Sequence, residues 1–124
     1  MPNRRSSCLI ASAVLLSLAA AVPATAAPKL RTGIYDCTKT DGEYVNSVEI
    51  RSKGRYVFAS QRKGATLKRT SKGTFKLRGG KIVWTSGAYK RGDYVSEIHS
   101  GYFSIDRRRT GVWTGISCNL QKRP

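Results

Sequence analysis

Cationic side chains dominate the chemistry that this sequence can offer. They fall in short runs: Arg62-Lys63, Lys68-Arg69, Lys72, Lys76 with Arg78, Lys90-Arg91, Arg107-Arg108-Arg109 and Lys122-Arg123. Such runs are the electrostatic footprint of phosphate or carboxylate contacts. They also keep a small domain soluble, because a high net charge does that by itself. Lys68, Arg69, Lys72, Arg107, Arg108 and Arg109 are the residues expected to meet an anion. Tyr56, Tyr89, Tyr94 and Tyr102 lie among the basic runs.

Other chemistries find little to work with. His99 is the single histidine; a catalytic base needs a nucleophile within hydrogen-bond reach, and none is implied nearby. With one histidine and no acidic cluster of calcium-loop spacing, neither a metal site nor a cofactor is expected. Asp36, Asp41, Glu43, Glu49, Asp93, Glu97 and Asp106 are the acids. Sugar hydrolysis would need two of them at a set separation, which nothing in the spacing imposes. Against so many bases they read more simply as ion-pair partners. The glycines sit between strand-like runs rather than ahead of a helix, so no phosphate-cradling loop is present. Arg91-Gly92-Asp93 spells an integrin-binding tripeptide, but in a charged, Gly-containing turn it reads as chance. No residue is assigned a catalytic role, and the chain reads as non-enzymatic.

The elements that position these groups begin after a leader. Arg4 and Arg5 open the chain, Leu9 to Val22 is apolar, and Ala24-Thr25-Ala26 is a small-x-small cleavage site. This is the pattern of a secretory signal peptide over residues 1–26. The apolar run falls short of the about 20 residues that a membrane span needs, so no anchor is expected after processing. Ser6 and Ser7 after the arginines favour ordinary export over the twin-arginine route. Cys8 precedes the apolar run and leaves with the leader. Of the 23 basic residues the leader removes two, which leaves 21 against 7 acids, a net charge of +14. Charge of that size speaks to partners and solubility, not to fold.

Processing leaves two cysteines, Cys37 and Cys118. In an oxidising compartment they are expected to pair. A bond closing so long a loop contributes about 4 kcal/mol in loop-entropy arithmetic, a large share of the net stability of a small domain. Residues 27–124 are then a single secreted domain.

Between the cysteines the chain alternates with a period of two. Strands are expected over about 32–38, 44–51, 55–60, 65–70, 74–78, 81–85, 93–99, 101–106 and 111–118. Asp41-Gly42 and Gly79-Gly80 carry hairpin chemistry. Ser52-Lys53-Gly54, Ser71-Lys72-Gly73, Ser86-Gly87-Ala88 and Lys90-Arg91-Gly92 read as turns or breaks. Phe75 and Leu77 should face inward, Lys76 and Arg78 outward. No window shows a helical stripe. Eight or nine short strands in sequential hairpins are an all-β antiparallel meander. A bond between the first and last strands favours closure into a barrel of about eight strands, with a sandwich as the alternative. Tyr35, Tyr56, Phe58, Phe75, Trp84, Phe103 and Trp113 can fill such an interior.

Gly33-x-Tyr35-x-Cys37, Gly54-x-Tyr56, Gly73-x-Phe75, Gly80-x-Ile82-x-Trp84-Thr-Ser-Gly87 and Cys118-Asn119-Leu120 together resemble a group of small exported bacterial domains, mostly without an assigned activity. The resemblance implies a secreted, disulfide-closed β-barrel and carries over no catalytic residues. A slighter likeness, in Tyr35-x-Cys37, Ser86-Gly87-Ala88 and Cys118, is to the secreted inhibitors of C-type lysozyme. Here Trp84 precedes the loop rather than following it, and a strongly basic chain is repelled by a basic enzyme.

The expected function is therefore that of a secreted, monomeric, basic barrel binding anionic cell-wall polymer or acidic glycan. Nucleic acid would bind only non-specifically, since no base-reading motif is present. The alternatives are an enzyme inhibitor and a carrier of one small ligand.

Overall fold

A computed structural model describes residues 28–121; the leader and the Lys122-Arg123 tail lie outside them. Its strands are β1 (Gly33–Lys39), β2 (Tyr44–Arg51), β3 (Arg55–Lys63), β4 (Thr66–Arg78), β5 (Lys81–Trp84), β6 (Tyr94–His99), β7 (Tyr102–Arg107) and β8 (Trp113–Leu120). They form a closed barrel in sequence order, each strand antiparallel to its neighbours. Within the barrel itself closure gives every described strand two neighbours, so no sheet edge is left open there. The seam is β1 against β8. There Cys37 and Cys118 oppose each other in register and are joined by a disulfide, with α-carbons 3.8 Å apart.

Alternation sorts the side chains as the period of two requires. Tyr35, Cys37, Val48, Ile50, Tyr56, Ile82, Trp84, Phe103, Ile105 and Cys118 point inward and are almost wholly buried. The rings of Trp84, Tyr56 and Phe103 pack in tilted and edge-on pairs at 4.7–5.9 Å, an arrangement that aromatic quadrupoles favour. Trp84 donates its indole N–H to Ser96 Oγ at 3.1 Å, so the one polar atom of this ring is satisfied inside the barrel.

Three expectations are corrected. The runs read as separate strands at 65–70 and 74–78 are one strand, β4, and Ser71-Lys72-Gly73 lies within it instead of turning. Gly73 is needed for close approach: a β-carbon there would fall 2.4 Å from the Tyr56 ring and 2.6 Å from the Ser86 carbonyl oxygen. Second, a one-turn helix, α1 (Ala88–Arg91), follows β5; four residues are too few to leave a periodic signal. Third, Leu77 is 57% exposed and Trp113 50% exposed. Leu77 shares the inward face of Phe75 but sits at the tip of the β4–β5 hairpin. Trp113 lies opposite Asp106, on the outer wall.

Helix α1 packs against β4 and β6. It drives Tyr89 into the core, where the ring stacks on Tyr56 and lies 4.6 Å from Trp84. The approach is tight: a β-carbon on Gly87, at φ 87°, would fall 2.6 Å from the Tyr56 hydroxyl and 2.8 Å from the Gly73 α-carbon. Tyr56 donates its hydroxyl to the Ser86 carbonyl at 2.7 Å and accepts the Tyr89 N–H at 3.1 Å. Asn46 donates from Nδ2 to the Tyr89 hydroxyl at 3.1 Å, and that hydroxyl lies 3.5 Å from Cys37 Sγ. Burial pushes the Tyr89 phenol well above its ordinary range.

The long hairpin of β3 and β4 extends past the barrel as an arm. Arg69 takes a left-handed φ of 52° within it, a conformation that costs a non-glycine residue about 1 kcal/mol. The arm folds over the outer wall of β1 and β2: Arg62, Gly64 and Ala65 border one groove with Ile34 and Glu49.

Candidate functional site

The expected anion-binding residues do not form one patch. Lys68 and Arg69 stand exposed on the arm, and Lys72 is exposed on the outer face of β4. Arg107 ends β7, and Arg108 and Arg109 form the turn after it. In the closed order β4 and β7 are separated by β5 and β6, so the two groups lie on different walls. Helix α1 spans the gap with exposed Lys90 and Arg91 in its last turn. Lys72 flanks it on one side, since its carbonyl lies against Gly87. The arginine turn flanks it on the other, because Arg108 donates its N–H to the Asp93 carbonyl at 3.0 Å, two residues beyond the helix. The result is a basic rim at the helix-capped end: Lys72, Lys90, Arg91, Arg107, Arg108 and Arg109. Lys68 and Arg69 are outlying. Lys90-Arg91 was legible as a basic run; what the sequence lacked was the helix that sets the pair between the other two groups.

Two rim cations are already engaged. Arg108 Nε meets Asp93 Oδ1 at 2.5 Å and Arg109 Nε meets Oδ2 at 3.2 Å. The Arg108 hydrogen bond, more than the weaker pull of Arg109, holds the Asp93 carboxyl below the usual range. Asp93 sits left-handed at φ 60° and orders the turn, with its two guanidiniums at the surface. One carboxylate against two guanidiniums leaves the rim net positive.

Arg62, a member of the basic runs, is not available. It clasps Asp36 through both Nε and Nη2 at 2.5 Å and donates from Nη1 to the Gly64 carbonyl at 2.7 Å. Desolvation raises the Asp36 carboxyl, but the Arg62 and Ser47 hydrogen bonds outweigh it, and the net shift is downward. Of the tyrosines read among the basic runs, Tyr56 and Tyr89 are core residues; Tyr94 is half-buried and Tyr102 is 37% exposed. No group of three or more metal-ligating residues occurs among the described residues. His99 stacks flat on Tyr102, ring centroids 4.5 Å apart.

No family model, curated protein or solved structure matches the chain. No helix among the described residues is long and apolar enough to cross a membrane, and the disulfide is one that an oxidising compartment maintains.

Proposed function

We propose that the protein is a secreted, non-enzymatic module that binds an anionic polymer, such as a wall polymer or acidic glycan, through the basic rim around α1. The observation that carries this reading is the placement of Lys72, Lys90, Arg91 and Arg107–Arg109 around one capped end of the barrel. The covalently closed scaffold fixes the backbone that carries these side chains, which lowers part of the ordering cost of meeting a repeating array of anions. The two competing readings draw less support. Trp84, Tyr89, Tyr56 and Phe103 occupy the interior that a carrier would keep for its ligand. The Ser86-Gly87-Ala88 loop, which an inhibitor would present to an enzyme, spends its groups on the fold: Ser86 Oγ accepts the Thr74 N–H at 3.0 Å and its carbonyl accepts Tyr56.

The test is retention on immobilised heparin or purified anionic wall polymer as salt rises. A rim that neutralises four to six anions should lose about a hundred- to a thousandfold in affinity between roughly 50 and 200 mM salt. Lys90→Ala with Arg91→Ala should shift elution to lower salt, whereas Lys68→Ala with Arg69→Ala should shift it less. Salt-independent retention, or none at low salt, overturns the reading.

A further inference from the structure

The wall formed by β6, β7 and β8 differs from the rest of this basic surface. Its outward residues include Glu97 and His99 on β6, Tyr102, Ser104 and Asp106 on β7, and Trp113 on β8. With Gly111 they line one open depression of about 330 Å³. Trp113 is 50% exposed, yet its indole does not float: Nε1 donates to the Ile116 carbonyl at 2.9 Å. On the other side Tyr102 is backed by the parallel His99 ring. Two fixed aromatic faces thus border a polar floor.

That floor holds an incompletely satisfied carboxylate. Asp106 is only 9% exposed. Its Oδ2 accepts the Ser104 hydroxyl at 2.9 Å, and Ser104 Oγ in turn accepts the Glu97 N–H at 3.2 Å. Among the described residues nothing donates to Asp106 Oδ1, and no basic side chain pairs with Asp106. A buried carboxylate normally has its acceptor sites filled, and cations are abundant in this chain. An unfilled acceptor beneath an exposed, pinned indole is therefore an opening for a ligand's hydroxyl.

We propose that this depression binds a pyranose ring of a saccharide. The C–H face of the sugar lies against Trp113, and vicinal hydroxyls donate to Asp106 Oδ1 and to Glu97. A sugar supplies what the site lacks, several hydroxyl donors on an amphipathic ring. An ammonium ligand would also suit aromatics and acids, but the net charge of +14 that remains after the leader repels cations at long range, while a neutral sugar is indifferent to it. The site is distinct from the rim and does not depend on it.

Titration of the intact protein with chitotriose and with cellotriose, followed by NMR at the Trp113 indole N–H and the Tyr102 ring, tests the proposal. At least one sugar should move both signals saturably. Raising salt from about 50 to about 500 mM should change that affinity by less than about twofold, unlike binding at a polyanion site. Trp113→Ala and Asp106→Asn should each weaken it by at least about tenfold. Trp113→Ala alters an exposed side chain, so its effect stands even if Asp106→Asn folds poorly. The proposal fails if neither sugar produces a saturable shift by about 10 mM, or if binding survives Trp113→Ala. It also fails if N-acetyl-lysine amide saturates these signals and both sugars do not.

Discussion

Asp36 and Asp106 are both carboxylates on the outer wall of the barrel, on β1 and β7, and both are largely withdrawn from water. Their surroundings differ. Over Asp36 the arm brings Arg62, which clasps both carboxylate oxygens, and Ser47 Oγ adds a bond at 2.7 Å. Over Asp106 no described segment folds, and among the described residues only Ser104 is bonded to it. One acid is part of the structure that holds the arm down. The other is left with an acceptor facing a depression. Burial alone does not distinguish a structural acid from an available one; the inventory of donors does.

The β1–β8 seam stands between these two walls, and the largest expected effect comes from opening it. Replacing Cys37 and Cys118 with alanine should remove about 4 kcal/mol in urea unfolding and loosen both walls together. Next, Arg62→Ala should cost about 2–3 kcal/mol, because it leaves Asp36 largely buried without its charge partner. Enhanced hydrogen exchange should appear in the arm while β6–β8 stay protected. Tyr89→Phe should cost about 1 kcal/mol by leaving the Asn46 amide without that acceptor, measured by thermal unfolding.

Acid should separate the two sites as well. The folded Asp36 carboxyl is held below its unfolded value, so the unfolded chain takes up that proton first. Its contribution is complete above about pH 4 to 5 and is lost as the pH falls through the folded value. Carbon-detected NMR should show Asp36 titrating below the ordinary carboxylate range, and Arg62→Ala should raise its midpoint. The smallest effect is expected at Asp106→Asn, within about 0.5 kcal/mol of wild type. An effect there as large as that of Arg62→Ala would mean that Asp106 is structural after all, and the contrast would collapse.

The barrel was legible because its signals are local. Period-two alternation, Gly79-Gly80 and Asp41-Gly42 mark hairpins, and the placement of Cys37 and Cys118 specifies which strands close the cylinder. What was not legible depends on contacts across the sheet. Gly73 looks like turn punctuation beside Ser71 and Lys72, and only the Tyr56 ring pressed against it explains why the strand runs on. Helix α1 is one turn long, and Tyr89 resembles any surface tyrosine until Asn46 and the disulfide are seen around it. The exposure of Trp113 was recoverable. Counting back from inward-facing Cys118 by twos reaches Ile116 and Thr114, so Trp113 falls on the other face. For the sites, the basic runs were readable but their assembly into a rim was not, since Asp93 and α1 set it. The convergence of Glu97, Asp106 and Trp113 needs the pairing of three strands.

Both sulfurs of the disulfide are fully buried, and the Tyr89 hydroxyl stands 3.5 Å from one and 4.0 Å from the other. A thiolate attacking that bond needs a clear line to a sulfur atom, which the closed protein denies it. Reduction must then wait for a motion that exposes a sulfur, so the chemical lifetime of the bond in a reducing solution is governed by how often the barrel opens, not by the strength of the reductant alone.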